Sequence, residues 1–251
     1  MTIHFVGAGP GAGDLLTLRA ASLLSEADVC LYAGTYIDEA ILAHCRDEAA
    51  LIDTQRLDLD QITEHLVNAY RQGRTVVRLC SGDPSLYSAL AEQTRRLDQA
   101  GVAWDVTPGV PAYAAAAARI GTELTVPVLA QSVVLTRARA RSTRMPESEA
   151  LSSFAATQAT LVLHLAVTKT REIAAELAAY YGYDCPAVVV FNVTKADELV
   201  LSGTLSNIAD RVEAAGLSQA AVIMVGRVLQ RDGTGESFLY DPARDRNSQR
   251  S

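Results

Sequence analysis

The chain has 251 residues, 49% of them apolar and 20% charged, and carries a net charge of −7. That is enough for one large globular domain or two medium ones with ample core, and the acidic surplus disfavours nonspecific nucleic-acid binding. No stretch approaches the roughly 18–20 uninterrupted apolar residues of a membrane span, and the run opening at Ile3 lacks the basic leader of a signal peptide. The expectation is a cytoplasmic enzyme with neither nucleic acid nor membrane as partner.

Ile3-His4-Phe5-Val6 reads as a strand and runs into Gly7-Ala8-Gly9-Pro10-Gly11-Ala12-Gly13. Leu15, Leu18, Leu23 and Leu24 mark a helix, and Val29-Cys30-Leu31-Tyr32 a second strand. Ile62, Leu66, Val67 and Tyr70 share one helical face, which Gly73 ends. Thr75-Val76-Val77-Arg78-Leu79 is a strand leading to Ser81-Gly82-Asp83-Pro84 and an amphipathic helix over 86–97. Val102-Ala103-Trp104-Asp105-Val106 leads to Pro108-Gly109-Val110-Pro111 and an alanine-rich helix over 113–120, closed by Gly121. This βαβα order predicts a mostly parallel sheet flanked by helices.

Residues 122–130, with Pro127, lose periodicity and read as a linker. Beyond them the pattern predicts strands at 131–136, 159–165, 187–192, 198–202 and 220–226, and helices at 148–156, 169–181 and 205–215. Short connections between several of these strands predict a mixed sheet. The expected organisation is an α/β protein: an N-terminal domain over 1–121, a C-terminal domain over 131–230, an active-site cleft between them, and a polar, flexible tail over 231–251. The four cysteines are scattered, with Cys30 and Cys80 reading as buried thiols, and the four histidines have no metal-ligand spacing, so no metal site is expected.

Each glycine turn follows a strand of one α/β sheet, so the three should converge on the crevice where such sheets bind ligands. Gly7-x-Gly9-x-x-Ala12 fits a dinucleotide fingerprint. Against that, Pro10 removes a backbone donor from the turn, and the second strand ends in Tyr32-Ala33-Gly34 with no acidic residue for a ribose hydroxyl. In Ser81-Gly82-Asp83-Pro84, Asp83 is placed to cap the next helix, a role compatible with facing a cationic cofactor.

Taken as a set, these segments resemble the tetrapyrrole methylase family. The resemblance spans almost the full chain and rests on Val6-Gly7-Ala8-Gly9-Pro10-Gly11 with Leu16-Thr17, Leu31-Tyr32-Ala33-Gly34-Thr35, Val77-Arg78, Ser81-Gly82-Asp83-Pro84-x-x-Tyr87 and Glu92-Gln93. It continues through Glu123-Leu124-Thr125-x-Pro127, Gln131-x-Val133-x-Leu135-Thr136-Arg137, Met145-Pro146-Glu147, Gly203-Thr204-Leu205 and Gly226. The Leu-Tyr-Ala-Gly, Glu-Gln and Leu-Thr-Arg segments are similar to the branch that methylates precorrin-4 at C-11 in cobalamin biosynthesis. The chain departs from the family pattern at Pro111-Ala112, Lys195-Ala196, Thr54-Gln55-Arg56 and near Ser202, where an arginine is missing.

The resemblance implies S-adenosyl-L-methionine as cofactor and S-adenosyl-L-homocysteine as its product. It places Pro10, Ser81, Gly82, Asp83, Leu86, Pro111, Ala112, Leu165, Val193 and Ala221 at the cofactor; taken alone, Leu165 and Ala221 read equally as core strand residues. It also implies a homodimer and hand-off to neighbouring pathway enzymes. Methyl transfer of this kind needs alignment and exclusion of water, worth about 7–11 kcal/mol in favourable cases, which suits a sequence with no catalytic triad. The implied acceptor, a polycarboxylate tetrapyrrole such as precorrin-4, needs cations, and Arg137, Arg139, Arg141 and Arg144 are concentrated in one loop. Asp83, Tyr87 and Tyr113 are the candidates to assist proton loss, with no spacing that selects one. Two other readings stay open: a sister methylase acting on another precorrin, cobalt-precorrin-4 or uroporphyrinogen III, and a non-catalytic carrier of corrinoid intermediates.

Overall fold

A computed structural model describes residues 2–138 and 145–230, which divide into two compact units. The first unit is the chain up to Ala115 together with Asn192–Glu198; the second is the remainder.

The first unit contains β1 (Ile3–Gly7), α1 (Leu18–Glu26), β2 (Val29–Tyr32), α2 (Glu39–Leu42), β3 (Ala50–Asp53), α3 (Leu59–Arg71), β4 (Val76–Cys80), α4 (Leu90–Gln99), β5 (Trp104–Thr107) and the start of α5 (Ala112–Ile120). Its sheet has the order β3-β2-β4-β1-β5 with every pairing parallel. Strands buried on both faces read as apolar runs, and here the two faces are distinct. Ile3, Phe5, Val29, Leu31, Val76 and Cys80 pack under Ile62, Leu66 and Val67 of α3 and Leu97 of α4. Val6, Cys30, Val77 and Leu79 pack under Ala20 and Leu24 of α1 and Ile41 of α2. Cys30 and Cys80 are buried free thiols as expected, and burial pushes Cys80 up to about 11.

Two local expectations are corrected, and two elements were not anticipated. The first helix begins only at Leu18, capped by Thr17, whose Oγ1 accepts from the Ala20 N–H at 3.1 Å. That cap turns Leu18 outward, 92% exposed, and leaves Leu24 to anchor the helix. The helix expected from residue 86 begins at Leu90, because Tyr87 and Ala89 take left-handed backbone at φ 55° and 54°. The strand β3 and the one-turn helix α2 escaped the pattern; β3 is short, at the sheet edge, and half exposed.

The second unit contains β6 (Val133–Arg137), α6 (Leu151–Ala155), β7 (Thr160–His164), α7 (Thr170–Tyr181), β8 (Pro186–Phe191), β9 (Leu199–Thr204), α8 (Ile208–Ala214) and β10 (Ala221–Val225). Its sheet, ordered β6-β7-β10-β8-β9, is mixed as expected: β6 runs parallel to β7, and β10 runs antiparallel to β7 and β8, as β8 does to β9. Leu161, Leu163, Val189, Ile223 and Val225 meet Ile173 and Leu177 of α7 and Ile208 and Val212 of α8. Within 122–130, a turn over 127–129 is closed by a Val126–Ala130 bridge, and the Thr160 hydroxyl donates to the Leu124 carbonyl at 2.8 Å. The polar tail over 231–251 lies outside the described residues. Among the described residues no helix is long and apolar enough to cross a membrane.

Candidate active site

The loops after β1, β4 and β5 meet because those strands are neighbours in the order β4-β1-β5. Beyond the strand ends the first two exchange backbone hydrogen bonds. The Gly82 N–H donates to the Gly9 carbonyl at 2.8 Å, and the Gly9 N–H donates to the Gly82 carbonyl at 3.1 Å. The third loop presses against both. A β-carbon on Gly7 would lie 2.4 Å from the Gly109 nitrogen, and one on Gly109 would lie 2.2 Å from the Gly82 oxygen. Gly82 itself sits at φ 66°, a left-handed conformation suited to glycine. Three main chains therefore pack where no side chain fits.

Asp83 ties this contact together. Its Oδ2 accepts from the Gly109 N–H at 2.9 Å, while Oδ1 accepts from the Ser85 N–H at 2.8 Å and from the Ser85 hydroxyl. Burial alone would raise this carboxyl; the Ser85 hydroxyl, the Gly109 N–H and the Ser85 N–H outweigh it and hold Asp83 below the usual carboxylate value. A low pKa and engaged oxygens suit a fixed negative charge rather than a proton acceptor.

The segment Asn192–Glu198 closes on the first loop. Thr194 Oγ1 accepts from the Ala12 N–H at 3.0 Å, and Glu198 accepts from the Thr194 N–H at 2.7 Å. A β-carbon on Gly11 would lie 2.8 Å from Lys195 Cγ and 3.2 Å from the Val193 carbonyl. Asn192 and Thr194 are held at φ 42° and 68°. Strained backbone of this sort collects at ligand-binding sites.

The sequence matches the family model of Tetrapyrrole (Corrin/Porphyrin) Methylases over residues 2–209, a span that reaches into both units. The chain belongs to the tetrapyrrole methylases. The precorrin-4 C(11)-methyltransferase of Rhodococcus erythropolis is 52% identical over 248 residues, 99% of this chain and 100% of that protein. A solved cobalt precorrin-4 methyltransferase is similar at TM-score 0.88 and 35% identity, covering 91% of this chain and 96% of that one. A uroporphyrin-III C-methyl transferase from Thermus thermophilus, solved with S-adenyl homocysteine, is similar at TM-score 0.77 and 28% identity, covering 91% of this chain and 99% of that one.

In this methylase the first unit brings together most of the residues singled out from sequence. Pro10 is half-buried in the first loop, Ser81 is exposed, Leu86 is half-buried with its N–H donating to the Asp83 carbonyl at 3.2 Å, and Val193 is buried beside Gly11. Pro111 and Ala112 stand at the start of α5, where a β-carbon on Gly82 would lie 3.6 Å from both the Ala112 nitrogen and the Pro111 Cα. Tyr87 is 46% exposed in the loop before α4, and Tyr113 is half-buried in the first turn of α5.

The second unit carries Leu165 and Ala221. Leu165 follows β7 at φ 51° and is 60% exposed; Ala221 opens β10 after Ala220, itself at φ 51°. Since Leu163 pairs with Ile223 in an antiparallel register, both candidates lie at the same end of that sheet. Arg137 ends β6 and pairs in register with His164, whose imidazole burial holds below the usual histidine value. Arg139, Arg141 and Arg144 lie outside the described residues. Sequence reasoning missed Thr194, and it used Arg78, Gln93 and Thr54 only as marks of the family pattern, with no role assigned; in the structure these three form one buried hydrogen-bonded group. An arginine inside the apolar run of β4 was the available signal for the latter.

Proposed function

We propose that this methylase transfers the methyl group of S-adenosylmethionine to C-11 of precorrin-4, giving precorrin-5 in the assembly of the corrin ring of cobalamin. The observation that carries this reading is the 52% identity, along 99% of the chain, with a precorrin-4 C(11)-methyltransferase.

The first unit's loops fit such a cofactor better than a nucleotide diphosphate. A diphosphate would meet Pro10, which has no N–H to give, and the negative charge of Asp83. A cofactor with a fixed positive charge suits the same carboxylate, beside main-chain edges and the small apolar groups of Leu86 and Ala112. When bound, S-adenosylmethionine supplies a sulfonium methyl group that needs little activation to leave. The chain's task is then to align and to exclude water. In this reading Gly7, Gly82 and Gly109 lock the loops, Asp83 braces the second loop on the third, and Pro10, Ser81, Leu86, Pro111, Ala112 and Val193 line the cofactor. Leu165 and Ala221 keep the cofactor-contacting role that the family resemblance gives them. Tyr87 and Tyr113 supply the hydroxyl groups that assist proton loss after methylation.

The arginines from Arg137 to Arg144 capture the substrate's carboxylates. Replacing Arg137 and Arg141 together with alanine is expected to weaken precorrin-4 binding roughly tenfold or more, the scale of lost charge-assisted hydrogen bonds, with cofactor affinity retained. Equal loss of both affinities would overturn the separate roles. The family resemblance also supports a cytoplasmic homodimer that hands its product to neighbouring enzymes, and light scattering checks the dimer.

A mass-resolved assay with S-adenosylmethionine and precorrin-4, cobalt-precorrin-4 or uroporphyrinogen III tests the function. One methyl gained by precorrin-4 is the expected result. Methylation of uroporphyrinogen III instead would move the chain to a sister activity, and binding of precorrin-4 without methylation would make it a carrier.

A further inference from the structure

Arg78 carries a charge into the interior of the first unit. It stands in β4 between Val76 and Cys80, sharing by strand alternation the face that α3 and α4 cover, and is 8% exposed. A buried guanidinium is costly unless it is paired, yet its hydrogen-bond partners among the described residues are neutral. Nε donates to Gln93 Oε1 and Nη1 donates to Thr54 Oγ1, each at 3.1 Å. The Thr54 hydroxyl in turn donates to the Tyr32 carbonyl at 3.0 Å.

Gln93 is 2% exposed on the first turn of α4. Its Nε2 donates to the carbonyls of Ser88 and Ala89, each at 3.2 Å. Because arginine only donates, the Gln93 amide oxygen must face Arg78 and its NH2 must face the loop. The buried charge thus fixes which way the amide points. The carbonyls it holds belong to the segment in which Tyr87 and Ala89 are left-handed, and Ala89, at the start of α4, makes no side-chain cap hydrogen bond.

We propose that Arg78 and Gln93 are positioning residues: Arg78 orients the Gln93 amide, and that amide holds the strained loop over 84–89 in the shape that presents Leu86 and Tyr87. The link to cofactor binding rests on the function proposed above; the link to loop shape does not.

Gln93→Glu separates positioning from simple satisfaction of the buried charge. Its carboxylate still accepts from Arg78, and pairs the charge better, but it has no N–H for Ser88 and Ala89. The expected result is a melting temperature at or above that of the wild type. Alongside it, amide exchange over residues 85–89 speeds up roughly tenfold without ligand, and the Kd for S-adenosylhomocysteine rises roughly tenfold. Exchange and Kd within twofold of wild type would overturn the proposal. If Gln93→Glu does not fold, Arg78→Met replaces it: a side chain of similar length removes the charge that orients Gln93, and retained loop protection overturns the proposal equally. Should the wild type itself bind no S-adenosylhomocysteine, the proposed function fails, and ligand-free exchange still decides the role of Gln93.

Discussion

Two helices on the same face of the first sheet begin in opposite ways. α3 starts on a capping box: Asp58 accepts from the Gln61 N–H at 2.8 Å, and Gln61 Oε1 accepts from the Asp58 N–H at 3.0 Å. Every group in that start comes from four consecutive residues, so local sequence specifies it. α4 starts on Ala89, left-handed and without a side-chain cap, two residues after another left-handed position. Its support comes from Gln93, and through Gln93 from Arg78 on the sheet. Shape is intrinsic at the first start and imposed at the second. α3 follows its own sequence, whereas the segment before α4, which continues directly from the loop of Asp83, is held by the surrounding fold.

Breaking the imposed region should cost most. Gly109→Ala sets a β-carbon 2.2 Å from the Gly82 oxygen and 2.8 Å from the Gly7 Cα, both backbone atoms that cannot swing aside. The expected loss is about 3 kcal/mol of stability, at the upper end of overpacking costs, with S-adenosylhomocysteine binding abolished in calorimetry. A variant that melts and binds like the wild type would show that the loops are not locked as described.

Asp83→Asn should weaken cofactor binding next most, with a distinct pH signature. A carboxyl whose pKa falls on folding stabilises the native state fully above its ordinary value of 3.8, and loses that contribution as pH falls through its lower folded value. The gap in melting temperature between wild type and Asp83→Asn is therefore expected to be widest near neutral pH and to close in acid. A gap that does not change with pH would mean that the charge plays no part in bracing the loops. The intrinsic start should suffer less: Asp58→Ala is expected to cost about 1 kcal/mol, as for other lost caps, and thermal denaturation checks it.

The same division explains what was legible in the sequence. The alternation of strands and helices, the mixed character of the second sheet and the glycine loops could be read directly, because periodicity and turn residues are local signals. The helix expected from residue 86 failed, because Asp83-Pro84 resembles a cap while the backbone at Tyr87 and Ala89 is left-handed and is held by the Gln93 amide and, through it, by Arg78 on β4, a tie that helical periodicity does not record. Leu15 misled, since it ends a separate short turn and the helix it was taken to mark opens at Leu18, after the Thr17 cap. At the site, Gly82 and Asp83 stood out by type and spacing. Thr194 did not, since its hydrogen bond to Ala12 spans 182 positions. The polar group around Arg78 is written in single residues on β4, α4 and the turn after β3, and no window along the chain contains all three.

Glycine at the two helix starts should have effects of opposite sign. At Asp58, with φ −78°, the backbone is ordinary, so glycine removes a cap and gains nothing; a loss of a few tenths of a kcal/mol, about 0.3, is expected. At Ala89 the left-handed conformation costs an L-residue about 1–2 kcal/mol. Glycine removes that strain and gives back about 0.5–1 kcal/mol through a more disordered unfolded chain. Ala89→Gly should therefore stabilise the protein by about 0.7 kcal/mol, the difference of the mid-values of those two terms, measurable as a shift of the denaturant midpoint at constant slope. If both glycines destabilise, the start of α4 is not strained, and the reason given for its dependence on Gln93 falls with it.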